Sequence, residues 1–399
     1  MVLISSERAD VVVIGAGVVG AACAYYAARA GLRVLVLDRG GVAGGTTGAG
    51  EGNLLVSDKS PGPELDLTLH SLALWHQLSS TLDSEAVELE AKGGLVVASN
   101  GDGHEALRAL AARQRAEGVV AIGVPAGELS DYEPHLASGF AGGMFYPQDM
   151  QVQPMAAAAH LLLAAIREHA AVFAPGVPVT AIERGADGRV IAVQTPSGRV
   201  AAGAVVNAAG TWAGEVAALA GAHVPILPRR GFILVTEPLS GMPVRHKVYA
   251  SGYVANVSSD DSGLQTSAVV EGTRSGTVLI GSSRERVGFD RTFSLPVLRR
   301  LAAEAVELFP FLAGVHAIRA YRGFRPYCPD HLPVIGPDPR VPGLLHACGH
   351  EGAGIGLAPA TGELIAAALT GAAPAIPLTD FRPDRFGDDD ALPSAEEQA

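Results

Sequence analysis

From Asp10 to Ile14 the chain is an unbroken apolar run after a single charge, AspValValValIle. Such a run suits a strand buried on both faces. Small and apolar residues then continue at helical spacing from Val18 to Ala30, and Gly31 closes that helix. Arg33–Leu37 alternates into a second strand that ends at Asp38. Strand, helix and strand make one βαβ unit. The eighteen residues Val11–Ala28 carry no charge, but Gly15, Gly17 and Gly20 interrupt them and acidic residues precede them. Both features argue against a membrane span and a signal peptide.

Further along, the pattern predicts an amphipathic helix around Leu65–Leu82, a strand over Gly94–Ala98 and a helix over Glu105–Glu117. An Ala/Leu helix, Met155–Ala171, follows Pro154. Strands over Pro178–Ile182 and Val190–Thr195 flank a turn at AlaAspGly (186–188), and a buried strand, Ala204–Asn207, runs into AlaAlaGly. Residues 221–318 read as short antiparallel strands interrupted by one helix, Pro296–Phe309. The C-terminal stretch returns to a Gly-rich turn and a helix from Ile355 to Leu369. The fold class expected is α/β (α+β overall), a discontinuous Rossmann-like domain (1–85, 151–220 and 319–379) carrying an antiparallel-sheet domain (86–150 and 221–318).

Composition changes this picture little. Of the net charge of −12, −5 falls in residues 380–399, which read as an acidic, disordered tail. No basic stripe appears, which argues against nucleic acid as a partner. Cys23, Cys328 and Cys348 have no metal-ligand or redox spacing, so no metal is expected, and few scattered cysteines fit a reducing cytoplasm.

GlyAlaGlyValValGly (15–20) follows a strand and opens a helix. Gly15 permits the tight turn, Gly17 the approach of a pyrophosphate, and Gly20 close helix–strand packing, with Ala16, Val18 and Val19 between them. The phosphates would sit on the helix N-terminus, and Asp38, followed by Arg39, would accept from the ribose. A second Gly/Thr-rich loop, GlyGlyThrThrGlyAlaGly (44–50), places Gly45, Thr46, Thr47 and Gly50 beside that site. ValValAsnAlaAlaGlyThrTrpAla (205–213) adds Ala208, Ala209, Gly210 and Trp212, and Val179 is expected nearby. GlyHisGluGlyAlaGlyIleGlyLeuAlaPro (349–359) is a third Gly-rich turn, with Gly352, Ala353, Gly354, Ile355 and Gly356 opening a helix and Pro359 in its first turn. These extra loops favour FAD over NAD.

With ArgGlyPheArgProTyrCysProAspHisLeuProValIleGly (322–336), these segments resemble the D-amino-acid oxidase, glycine oxidase and sarcosine oxidase family of FAD-dependent oxidoreductases over residues 9–370. Residues 347–362 are most similar to the FAD-bearing β subunits of D-hydroxyproline dehydrogenase, opine oxidase and hydrogen cyanide synthase. The resemblance implies oxidation of the C–N bond of a small amino or cyclic imino acid by hydride transfer to flavin N5. It implies that Arg325 grips the substrate carboxylate, with a structural pair to Asp330 as the alternative. Arg319 and Arg322 are expected outside the pocket, Tyr249 and Tyr253 as an aromatic lid, and His350 near the flavin. Cys328 is displaced from the position that carries covalent FAD in sarcosine oxidases, so non-covalent FAD is expected. Partner subunits for electron transfer, or a homo-oligomer, complete the implied picture. A non-catalytic electron-transfer subunit and an opine, glycine or sarcosine oxidase are the alternatives.

Overall fold

A computed structural model describes residues 8–257 and 259–387. The apolar runs of the N-terminal βαβ unit lie at the centre of an eight-stranded sheet. Ala9–Ile14 pairs in parallel with Val34–Asp38 on one side and Gly198–Asn207 on the other. Leu344–Cys348 extends the sheet beyond Gly198–Asn207, and Val172–Pro175 extends it beyond Val34–Asp38, both in parallel. Val11, Val12 and Val13 are fully buried, as a strand covered on both faces requires. Helices Val18–Arg29, Pro154–His169 and Gly354–Thr370 pack together on one face. Val172–Pro175 went unread because it is only four residues long and ends in proline, and the strand expected over 178–182 begins at Ala181.

The second eight-stranded sheet runs Ala317–Tyr327, Leu227–Thr236, Val278–Arg284, Gln265–Gly272, Lys247–Ala250, Gly94–Ala98, Gly142–Tyr146 and Ile122–Pro125. All its neighbours are antiparallel except Lys247–Ala250 with Gly94–Ala98. Leu295–Leu308 covers its core through Leu301, Ala305 and Leu308. Ala317–Tyr327 therefore belongs to this sheet, where sequence placed residues from 319 onward in the nucleotide domain. Its half-polar pattern hides a long pairing with Leu227–Thr236, and the strand carries Arg325 from the second sheet toward the first.

Two further expectations fail for physical reasons. Residues 380–387 are not a free tail: Phe381 and Phe386 are buried, and Arg385 pairs with Asp330 at 2.6 Å. Residues 388–399 of the expected tail lie outside the described residues. Pro359 is not in the first turn of its helix but inside it, and it cannot donate to the Ile355 carbonyl. The helix Pro63–Leu78 makes good this loss. The buried Trp75 indole donates to the carbonyls of Ile355 and Gly356 at 3.2 Å, and the Ser71 hydroxyl bridges Gly356 O (2.6 Å) and Ala360 N (3.2 Å). Among the described residues no helix is long and apolar enough to cross a membrane.

Trp75→Phe keeps the ring and removes the donor, leaving the Ile355 carbonyl without a partner. It should cost about 1–3 kcal/mol, read as a lower urea midpoint at unchanged slope. An unchanged midpoint would show that the helix tolerates Pro359 unaided.

Candidate active site

The C-terminal ends of the parallel strands open onto a cleft of about 960 Å³, at the upper end of the range for small-molecule sites. Its floor is set by close backbone approach. Gly15 has φ +112°, and a Cβ there would lie 2.4 Å from the Ala208 carbonyl oxygen. A Cβ on Gly20 would fall 2.0 Å from Gly15 O. Neither position admits a side chain without moving backbone. The helix beyond starts at Val18, its N-cap Gly17 offers no capping side chain, and the Val18 N–H meets the Thr47 hydroxyl at 3.1 Å. That N-terminus is suited to phosphate. Asp38 is anchored by Ala16 N–H on Oδ2 and Gly40 N–H on Oδ1, both 2.7 Å. These fix its direction and leave further lone pairs for ribose hydroxyls.

Most of the expected cofactor residues line this cleft: Gly15, Gly17, Val18, Val19, Asp38, Arg39, Gly45, Thr46, Thr47, Gly50, Val179, Ala208, Ala209, Gly210, Trp212, Gly352, Gly354 and Ile355. Ala16 and Gly20 are not part of its lining and act through packing and the Asp38 bond. Ala353 and Gly356 line an adjoining recess of about 240 Å³. Thr46 does not offer its hydroxyl to a phosphate, as its loop suggested. It donates to Phe324 O at 2.6 Å, beside Thr211, which donates to the same oxygen at 2.9 Å. At the Asp38 end, the Arg39 guanidinium lies 4.0 Å from the Trp212 ring, whose other contact is a stacked Phe289 at 5.3 Å. The sequence did not single out Phe289.

The opposite end gathers charge. Arg325 is half-buried, and its Nη1 donates to Ser283 O at 2.8 Å. Gly231 makes room for it, since a Cβ there would lie 2.3 Å from Nη1. No carboxylate pairs with Arg325 among the described residues, and Asp330, the expected structural partner, is taken by Arg385. Burial, reinforced by the positive charge of Arg284, pulls the Arg325 guanidinium down to about 10, so it stays protonated at neutral pH. Arg319 and Arg322 stack on Tyr321 and Phe293 and do not line the cleft. Glu51, a residue that sequence reading missed, lines the cleft at 8% exposure. Its Oε2 accepts from Asn53 and lies 4.0 Å from the Lys247 ammonium, and its Oε1 has no partner among the described residues. A lone charge inside the small-residue run GlyAlaGlyGluGly was the signal available for it.

The two tyrosines separate. Tyr253, on the short helix Gly252–Val257, lines the cleft and the recess. Tyr249 does not. It is buried in the core between the second sheet and the first sheet's helices, where its hydroxyl donates to Ser57 Oγ, and its ring packs against Tyr253 at 4.8 Å. Of the two tyrosines expected as a lid, one lines the cleft, because strand Lys247–Ala250 turns residue 249 inward. His350 is in the cleft wall. Thr361 donates to Leu357 O and so accepts from His350 Nε2–H at 3.0 Å, which leaves Nδ1 as the acceptor. Burial lowers the imidazole to about 3, so it is neutral. Cys328 is buried beside Arg385, off the cleft, and burial pushes its thiol up. Cys348 lines the cleft, but burial pushes its thiol up to about 12.

A family model described as DAO, FAD-dependent oxidoreductase, matches residues 10–368. The chain belongs to this family. It is 32% identical to glycine oxidase from Pseudomonas putida over 388 residues, covering 94% of this chain and 98% of that one. It is 30% identical to the hydrogen cyanide synthase subunit HcnC from Pseudomonas aeruginosa, covering 89% and 91%. The crystal structure of glycine oxidase from Geobacillus kaustophilus superposes with a TM-score of 0.86 at 28% identity, covering 96% of this chain and all of that one. The protein is an FAD-dependent oxidoreductase. The side-chain-free approach at Gly15, the uncapped helix N-terminus and the volume of the cleft fit FAD.

His350 supplies a pH test. Its folded-state value near 3 lies below the ordinary 6.5, so between the two only the unfolded chain binds the proton. Its contribution to stability is complete above about pH 6.5 and is lost as pH falls toward 3. Replacing it by Asn should flatten the loss of stability between pH 7 and pH 4 by about 2–3 kcal/mol, measured by urea unfolding across that range. Parallel curves for the two proteins would place the acid sensitivity elsewhere.

Proposed function

We propose that the protein oxidises the C–N bond of a small amino or imino acid, with Arg325 binding the substrate carboxylate. The observation that carries this is a half-buried guanidinium in the wall of the cleft, with no acidic partner among the described residues. Its fork can bond both oxygens of a carboxylate while Nη1 keeps the Ser283 carbonyl. Bound FAD supplies the acceptor for a hydride from the substrate α-carbon. Carboxylate fixation by Arg325 and the wall formed by Tyr253 orient that carbon, and orientation contributes much of the rate. Glu51 sets a negative charge at the same end, where it favours the substrate nitrogen and can take up its proton. Loss of the hydride and of that proton leaves an imine, which water hydrolyses.

The relatives named glycine oxidase, similar over nearly their whole length, support a small substrate. Sarcosine, opines and D-hydroxyproline use the same carboxylate and amine geometry, and they remain members of the proposed class. FAD is held without a covalent bond, because Cys328 is packed away from the cleft and the Cys348 thiol stays protonated. Arg325→Ala should lower kcat/KM by about two orders of magnitude, the cost of stripping one partner from a buried charge pair. Arg325→Lys should recover part of it. Both variants should keep a full complement of FAD, released into the supernatant by acid. Near-wild-type turnover in the alanine variant would exclude this role for Arg325, and a yellow pellet would exclude non-covalent FAD.

The similarity to HcnC, a subunit by its name, favours a second feature, transfer of electrons to a partner chain rather than to oxygen. After anaerobic reduction by substrate, the flavin should then reoxidise far more slowly in air than with an artificial acceptor. Prompt reoxidation with stoichiometric hydrogen peroxide would identify a free-standing oxidase instead.

A further inference from the structure

The recess beside the main cleft shares two walls with it, Arg325 and Tyr253. A second guanidinium faces this recess. Arg284 ends the strand Val278–Arg284, one residue beyond the Ser283 carbonyl that holds Arg325. It is 5% exposed, its guanidinium carbon lies 4.6 Å from the centre of the Tyr253 ring, and it makes no hydrogen bond or ion pair among the described residues. The contact with the aromatic ring attracts the cation but satisfies none of its N–H donors.

The acids around the recess are already engaged. Lys59 serves both Asp58 and Glu64 at 3.2 Å, and Asp330 is held by Arg385. Glu351 lies between Arg229 (3.2 Å) and His331 (2.7 Å). Each of these carboxylates is already paired with a cation, Asp58 and Glu64 sharing Lys59, and none pairs with Arg284 or Arg325 among the described residues. The two arginines repel each other across the wall they share, an arrangement that an anion relieves.

Resting on the C–N oxidation reading above, we propose that Arg284 binds a second carboxylate of the same substrate molecule, so that the preferred substrates are amino or imino dicarboxylates. One carboxylate is gripped by Arg325 at the cleft end, and the other reaches past Tyr253 to Arg284 in the recess. Glu51, on the cleft side, faces the nitrogen between them. Two guanidiniums and one carboxylate in the protein then meet two carboxylates and one amine in the substrate. Tyr253 is the partition between the two carboxylate positions. Arg284 acts on substrate choice, and the hydride step itself needs only the groups at the cleft end.

The test is a binding titration of the FAD-loaded protein, followed by the perturbation of the visible flavin spectrum. Malonate, succinate and glutarate are each compared with acetate and propionate. At least one dicarboxylate should bind about tenfold to hundredfold more tightly than propionate, the range for a charge-assisted hydrogen-bonded pair. Arg284→Gln should abolish that preference, and Arg284→Lys should restore part of it, with FAD content confirming that both variants are folded. Equal binding of mono- and dicarboxylates by the wild type would overturn the proposal, as would a preference that survives in a folded Arg284→Gln protein. Failure of every amino and imino acid to reduce the flavin would contradict the C–N reading instead, and the titration reads Arg284 independently of turnover.

Discussion

Taking a guanidinium out of water costs several kcal/mol unless a counter-charge or a full set of acceptors meets it. Arg325 is half-buried in the cleft wall, with one carbonyl, that of Ser283, as the hydrogen-bond partner of its guanidinium. The surrounding structure holds it there. Gly231 leaves the space the group fills, and the strand Ala317–Tyr327 is pinned along its length to Leu227–Thr236. An arginine so placed is poorly solvated and poorly paired, and an incoming carboxylate meets both needs at once. The same burial would be a liability in a protein that never bound an anion.

This arrangement depends on joining two sheets that the chain builds separately. The first supplies the cofactor cradle at the ends of its parallel strands, where open α/β sheets commonly bind ligands. The second supplies Arg325, Arg284 and Tyr253. The joint is local: Thr46 and Thr211, both from the cofactor side, donate to Phe324 O, the carbonyl next to Arg325. One residue further back, a Cβ on Gly323 would lie 2.6 Å from the Ala49 Cβ, so the strand and the cofactor loop touch only because Gly323 has none. The 44–50 loop and Arg325 are thereby held in one frame, so that in the proposed reaction orientation of the reacting carbon follows from packing rather than from a flexible side chain.

The parts of this account legible in sequence were those with a local cause. The βαβ unit declared itself through an apolar run, three spaced glycines and a terminal acid, and Arg325 through the resemblance of its segment. What sequence hid depends on contacts between distant segments. Arg284 and Glu51 acquire meaning only when 278–284 and 317–327 pair on opposite sides of 227–236 and the 44–53 loop packs at the cleft. Tyr249 and Tyr253 looked equivalent four residues apart, yet a strand holds one in the core and a single helical turn delivers the other to the cleft. Pro359 sits deep in a helix because Trp75 and Ser71, far away in the chain, satisfy the carbonyls it strands.

The claim on which the rest hangs is that the substrate is recognised through its carboxylate by an otherwise unpaired arginine. It is tested most directly from the ligand side, by anaerobic mixing of the FAD-loaded protein with a substrate amino acid and with the amide of that same amino acid, following bleaching of the flavin. The amide keeps the amine and the α-hydrogen but cannot form the ion pair. It should reduce the flavin about a hundredfold less efficiently or worse, with the deficit largely absent in Arg325→Ala. Equal rates for acid and amide in the wild-type protein would contradict the account.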